Sequence, residues 1–149
     1  MRKILILLLP IICFSNLRVH SQTETDGSDY GFLQVINNHV KDQNVWTAAY
    51  YNITGIYIKK NNAKNYDLTK NYCSGGLKTD ESQSIALESG LYDAKITIRR
   101  IYYVGGNSED QEKEVLNVLI KADCTTKVFT EGSVEPPKCQ PQKDRRDDD

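Results

Sequence analysis

Hydrophobic and polar side chains alternate through much of the middle of this chain. In the run Leu91–Ile98 the even positions are Tyr92, Ala94, Ile96 and Ile98, and the odd positions Asp93, Lys95 and Thr97 lead on to Arg99. A period of two puts one set on a buried face and the other on a wet face, which predicts a β-strand. Ser84-Ile85-Ala86-Leu87 precedes it through Glu88-Ser89-Gly90, a short glycine-containing link that predicts a hairpin. Phe32–Asn37 predicts a short strand stopped at Asn37-Asn38. Val45–Lys60 is rich in Trp, Tyr, Ile and Thr, which suit a pleated surface. It exceeds the usual strand of five or six residues, so a bend is expected near Asn52 or Gly55.

A polar segment of roughly twenty residues follows, Asn61–Glu81, and loops of that length are often functional. After Arg99-Arg100 the apolar run Ile101-Tyr102-Tyr103-Val104 ends in a turn at Gly105-Gly106-Asn107. Ser108–Glu114 (SEDQEKE) reads as a solvated loop, with a short helix capped by Ser108 as the second reading. Val115–Lys121 and Thr125–Thr130 predict a last hairpin around Ala122-Asp123-Cys124. About seven short strands and no long helix predict an all-β fold, an antiparallel β-sandwich over residues 30–135.

The two ends carry other patterns. Arg2-Lys3 followed by the apolar run Ile4–Phe14 has the form of a signal peptide, expected to cover residues 1–21, with cleavage after Ser15 a second option. The run is too short to span ~30 Å of hydrocarbon as a helix, and no later segment predicts a membrane span. Ile12 before Cys13 is too large for a lipid-attachment motif. Residues 22–29 read as a flexible lead-in. Residues 136–149 read as a polar, disordered tail.

Charge narrows the partners. The chain has a net charge of -1; Arg2, Lys3 and Arg18 leave with the signal while no acid does, which takes the rest to -4. A mildly acidic domain lacks the phosphate-neutralising surface of a nucleic-acid binder.

Processing would leave Cys73, Cys124 and Cys139, and an oxidising compartment would pair two of them. In an up-and-down sandwich, Cys73 and Cys124 lie at opposite ends. The strand after Cys124 returns toward Cys73, so Cys73–Cys139 is the expected disulfide and Cys124–Cys139 the runner-up.

Catalytic equipment is sparse. His39 is the one histidine left after processing, in what reads as an exposed turn, and no nucleophile elbow accompanies it. The cysteines and His39 are too scattered for a zinc site, and the acidic runs lack the spacing of a calcium loop. No metal or cofactor is expected. Glu88 and Asp93, the latter on the wet face, are the acids a glycosidase-like pair would draw on. The tyrosines and Trp46 offer more: of the adjacent pairs Tyr50-Tyr51 and Tyr102-Tyr103, one member must leave the core. Tyr102, Tyr103, Arg99 and, in the long loop, Tyr72 are the candidate ligand-binding residues. Asn52-Ile53-Thr54 fits the glycosylation acceptor pattern.

The run Glu81–Ile98, with Gly90, Tyr92, Ala94, Ile96 and Ile98, resembles a strand–turn–strand of Ig-like and prealbumin-like sandwich modules of exported bacterial proteins. Ile53–Ile58 is similar to the strand that precedes it there. The resemblance implies a fold and no catalytic residue. Its long cysteine-containing loop departs from those modules. The expectation is a secreted or periplasmic, non-enzymatic binding or structural module whose partner is a protein or a glycan. The rivals are a small carboxylate-dependent hydrolase and an inhibitor that inserts a disulfide-braced loop.

Overall fold

The computed structural model describes residues 29–40, 49–73 and 75–139. The expected signal peptide, most of the lead-in, Trp46 and the tail beyond Cys139 lie outside the described residues. Seven strands and no helix occur among those described: β1 (Tyr30–Ile36), β2 (Ala49–Lys60), β3 (Ser82–Glu88), β4 (Gly90–Tyr102), β5 (Ser108–Ile120), β6 (Cys124–Phe129) and β7 (Val134–Cys139). They form a four-stranded sheet, order β3-β1-β6-β7, and a three-stranded sheet, order β2-β4-β5. The all-β sandwich read from the alternation is the fold.

The core lies between the sheets. Leu33 and Val35 of β1, Ile85 and Leu87 of β3 and Val128 of β6 meet Ile53 and Ile56 of β2, Ile96 and Ile98 of β4 and Val118 and Ile120 of β5. Tyr92, Ala94, Ile96 and Ile98 are buried as the period of two requires. The bend expected in β2 is a bulge between Ile53 and Gly55, where the register against β4 shifts. Inward residues change there from odd to even, Ile53 to Ile56.

Asp93 departs from the expected wet face, with only 4% of its surface exposed. A second bulge sets Leu116 and Asn117 against it, between the pairs Ala94–Val115 and Tyr92–Val118. Its carboxylate accepts the Asn117 backbone N–H at 3.0 Å and pairs with Lys59 at 3.3 Å. Alternation describes a regular ladder; the bulge breaks it.

Both expected hairpins are instead arches between sheets: β3 and β6 belong to one, β4 and β5 to the other. A hairpin and an arch keep the same residues inward, so the alternation cannot separate them. Gly90, at φ 156°, makes the first switch in a conformation that side chains disfavour. The pairing is also not wholly antiparallel, since β1 runs parallel to β6, Val35 opposite Val128.

Ser108–Glu114 is neither loop nor helix but the first half of β5. Its acids read as solvated because β5 is an edge strand, and cross-strand cations hold them: Arg99 takes Asp110 and Lys95 takes Glu112. On the side of the sandwich where β5 faces β6, Lys113 donates to the carbonyls of Phe129, Thr130 and Gly132 at 2.9–3.3 Å. The Thr126 hydroxyl donates to the Leu119 carbonyl at 2.6 Å.

The expected Cys73–Cys139 disulfide is corrected to Cys124–Cys139. The reason lies in residues 136–139, read as the start of the tail: with Val134 and Glu135 they form a strand that folds back on β6 and sets Cys139 directly opposite Cys124. Pro136 and Pro137 fall where the register against β6 shifts, between the pairs Thr125–Lys138 and Lys127–Glu135, so neither has to donate to the ladder of this edge strand. Cys73 is a free, buried thiol.

Candidate functional site

The 61–81 segment explains where Cys73 goes and how one site is built. Its last part lies along the free edge of β2. Tyr72 N–H donates to the Ile56 carbonyl at 2.9 Å, and Leu77 and Ile53 exchange two backbone hydrogen bonds at 2.9 Å. The Asn71 side chain accepts from Ile56 N–H and donates to the Thr54 carbonyl, both at 3.0 Å. Cys73 Sγ donates to the Ile53 carbonyl at 3.2 Å, and burial pushes its thiol up. A strand edge that would otherwise recruit another chain is thereby covered.

Asn37, fully buried at the end of β1, anchors this cover. Its amide donates to the carbonyls of Tyr51 and Leu77, each at 2.9 Å. Its side-chain oxygen accepts from the His39 backbone N–H at 3.3 Å and the Thr130 hydroxyl at 3.4 Å. Its backbone receives Asp80 N–H and donates to the Glu81 carbonyl. The turn Lys78–Glu81 is therefore fixed beside β2.

That turn forms one wall of an open cleft of about 410 Å³, lined by Tyr50, Asn52, Lys78, Thr79, Glu81 and Tyr103. The opposite wall is aromatic. Tyr50 of β2 lies opposite Ile101 of β4, which brings its ring to 5.5 Å from that of Tyr103, tilted by 53°. Tyr103 is 58% exposed and Val104, next in the β4–β5 turn, 62%. Lys78, Thr79 and Glu81 supply hydrogen-bonding groups across from this ring surface, and Asn52 supplies another beside Tyr50.

The four residues picked from the sequence separate here. Tyr103 reaches the cleft. Arg99 does not; its guanidinium forks onto Asp110 at 2.7 and 2.9 Å, and that pairing raises the arginine and holds the carboxyl below its usual range. Tyr102 donates to Glu109 at 2.9 Å, which raises the phenol, and its ring lies 4.7 Å under Arg100. Tyr72 packs against the core beneath Lys70. Tyr50, Asn52, Lys78, Thr79 and Glu81 are cleft residues that the candidate set missed. The doublet Tyr50-Tyr51 and the acceptor pattern at Asn52 were visible, but the register joining Tyr50 to Tyr103 was not.

His39 is corrected from an exposed turn to a buried ring, 8% exposed. It stacks on Tyr51 at 4.5 Å with 14° between planes. Its Nδ1 lies 2.7 Å from Glu131 Oε1, while its buried Nε2 has no hydrogen-bond partner among the described residues. The two acids considered for hydrolysis are each committed to a lysine, Glu88 to Lys60 at 2.7 Å and Asp93 to Lys59. Lys60 holds the Glu88 carboxyl below its usual range, opposite to what a general acid needs. Among the described residues no three His, Cys, Asp or Glu side chains converge as metal ligands. Nor do the described residues hold a helix long and apolar enough to cross a membrane.

Fold and geometry together define a β-sandwich with a shallow, tyrosine-walled cleft at one end of its three-stranded sheet. No family model, curated protein or solved structure matches the chain.

Proposed function

We propose that this is an exported, non-enzymatic binding module that presents the β4–β5 turn and the adjoining tyrosine wall to a protein partner. The observation that carries the reading is the exposure of Tyr103 and Val104 at a turn, 58% and 62%, where loops are ordinarily polar. Aromatic anchors of this kind supply much of the free energy of a small interface. Export would supply the oxidising surroundings that the Cys124–Cys139 bond suits.

A glycan is the second reading, favoured by the cleft itself. A tyrosine face with an amide beside it and a hydroxyl, an ammonium and a carboxylate opposite offers one side to a sugar's C–H face and the other to its hydroxyls.

The test compares partner recovery by the processed wild-type chain and a Tyr103→Ala/Val104→Ser variant shown to be folded by circular dichroism. Recovery should fall at least tenfold, the loss of about 1.4 kcal/mol. Unchanged recovery would reject the turn as the binding element. Glycan-array binding that depends on Tyr50 and Tyr103 but not Val104 would select the second reading.

A further inference from the structure

We propose that Asn52 is a modification site carrying an N-linked glycan, whose first sugar lies against the Tyr50–Tyr103 wall. This does not depend on the protein-partner reading; it assigns the tyrosine-walled cleft to the chain's own sugar.

Asn52-Ile53-Thr54 is the one Asn-x-Ser/Thr triplet in the chain. Strand geometry gives it a meaning that spelling alone lacks. In β2, before the bulge, residues two apart share a face, so Tyr50 and Asn52 lie on one side, while Thr54 is the bulged residue itself. Asn52 opens onto the cleft rather than the core, and its side-chain amide takes part in no hydrogen bond among the described residues. Asn71, in the looser pattern Asn71-Tyr72-Cys73, is the internal contrast. Its amide and carbonyl hold Ile56, Thr54 and Cys73 in place, so a sugar on it would break contacts that the fold uses.

The donor required is a lipid-pyrophosphate-linked oligosaccharide of a secretory compartment. Asn52 Nδ2 bonds to C1 of its first sugar and gives up one proton. The C1–O bond breaks, and the lipid pyrophosphate leaves with the electron pair. After folding, Tyr50 stands two residues along the strand from the attachment point, and its ring lies 5.5 Å from that of Tyr103. That provides an apolar wall for the sugar's C–H face.

The test uses the full chain, with its own leader, made in a eukaryotic secretory host. Intact mass before and after peptide-N-glycosidase treatment should drop by one oligosaccharide and leave aspartate at position 52. Asn52→Gln and Thr54→Ala should abolish the drop, and Thr54→Ser should retain it. Enzymatic release from the native wild type should run at least tenfold slower than from Tyr50→Ala/Tyr103→Ala, because the wall shelters the first sugar. Secreted protein with unmodified Asn52, or a chain kept uncut in the cytosol, overturns the site. A glycan released equally fast from both overturns its seat on the tyrosines.

Discussion

Asn37 donates its side-chain amide to the Leu77 carbonyl at 2.9 Å, joining the end of β1 to the segment that covers the edge of β2. The same amide reaches Tyr51 in the facing sheet. Replacing it with leucine leaves two carbonyls without their donor inside the fold, at about 1–3 kcal/mol each. Asn37→Leu should therefore lower unfolding stability by ~2–5 kcal/mol in urea titrations. It should also loosen the 78–81 turn, seen as faster hydrogen exchange at Asp80 and Glu81. A variant as stable as wild type would show that the buried amide is dispensable.

The disulfide makes a second expectation. Closing a loop of 15 residues restricts the unfolded chain by about 3 kcal/mol. Cys124→Ser/Cys139→Ser should lose roughly that amount. Peptide mapping without reductant should recover Cys124 joined to Cys139. Cys73 should stay a free thiol, reacting with a thiol reagent far more slowly in the native than in the unfolded state. Burial both screens it and suppresses its thiolate.

Gly31 is fixed by contact. A Cβ there would overlap the Lys121 carbonyl oxygen, which belongs to the backbone and cannot swing aside. Gly31→Ala should separate β1 from the β5–β6 arch and cost more than ~3 kcal/mol, among the largest single-site effects. Thermal unfolding would measure it; a shift within a degree or two would contradict the close approach.

Acid should destabilise the protein through its surface ladder. Glu88 and Asp110 are held below the usual carboxylate range by Lys60 and Arg99, and Glu109 chiefly by the Tyr102 hydroxyl. A lowered folded-state value stabilises above the unfolded value, about 4, and is lost as pH falls through the folded one. Melting temperature should be level near neutrality and fall below about pH 4. Asp110→Asn/Glu88→Gln should flatten that fall, and high salt should weaken the difference because these groups are exposed.

The fold was more legible than the site, for a physical reason. Alternation reports which face of a strand is buried, so Tyr92, Ala94, Ile96 and Ile98 could be placed inward from spacing alone. It carries no information on lateral partners. Glu88–Gly90 therefore reads as a hairpin although it bridges sheets, and residues 136–139 read as tail although they complete one. The disulfide error followed directly, because Cys139 could be placed only once β7 was known to pair with β6. Tyr103 was picked for its adjacency to Tyr102, but its partner Tyr50 came from a register set by the β2 bulge. Asp93 and His39 were misplaced for the same cause. Each is buried by a bulge or by a neighbour distant in the chain.

The parallel seam between β1 and β6 sets a timetable for the molecule. Leu33 and Val35 are made well before their lateral neighbour Val128. Until β6 follows, the first strand has one of its two lateral neighbours at most, and its other edge stays unpaired. Closing so long a loop is slow compared with forming the β4–β5 hairpin, and folding belongs in the millisecond-to-second range typical of such topologies, roughly. Chains interrupted before Cys124 would hold half a sandwich with a sticky margin. Delivery in an unfolded, escorted form thus suits this topology better than early compaction.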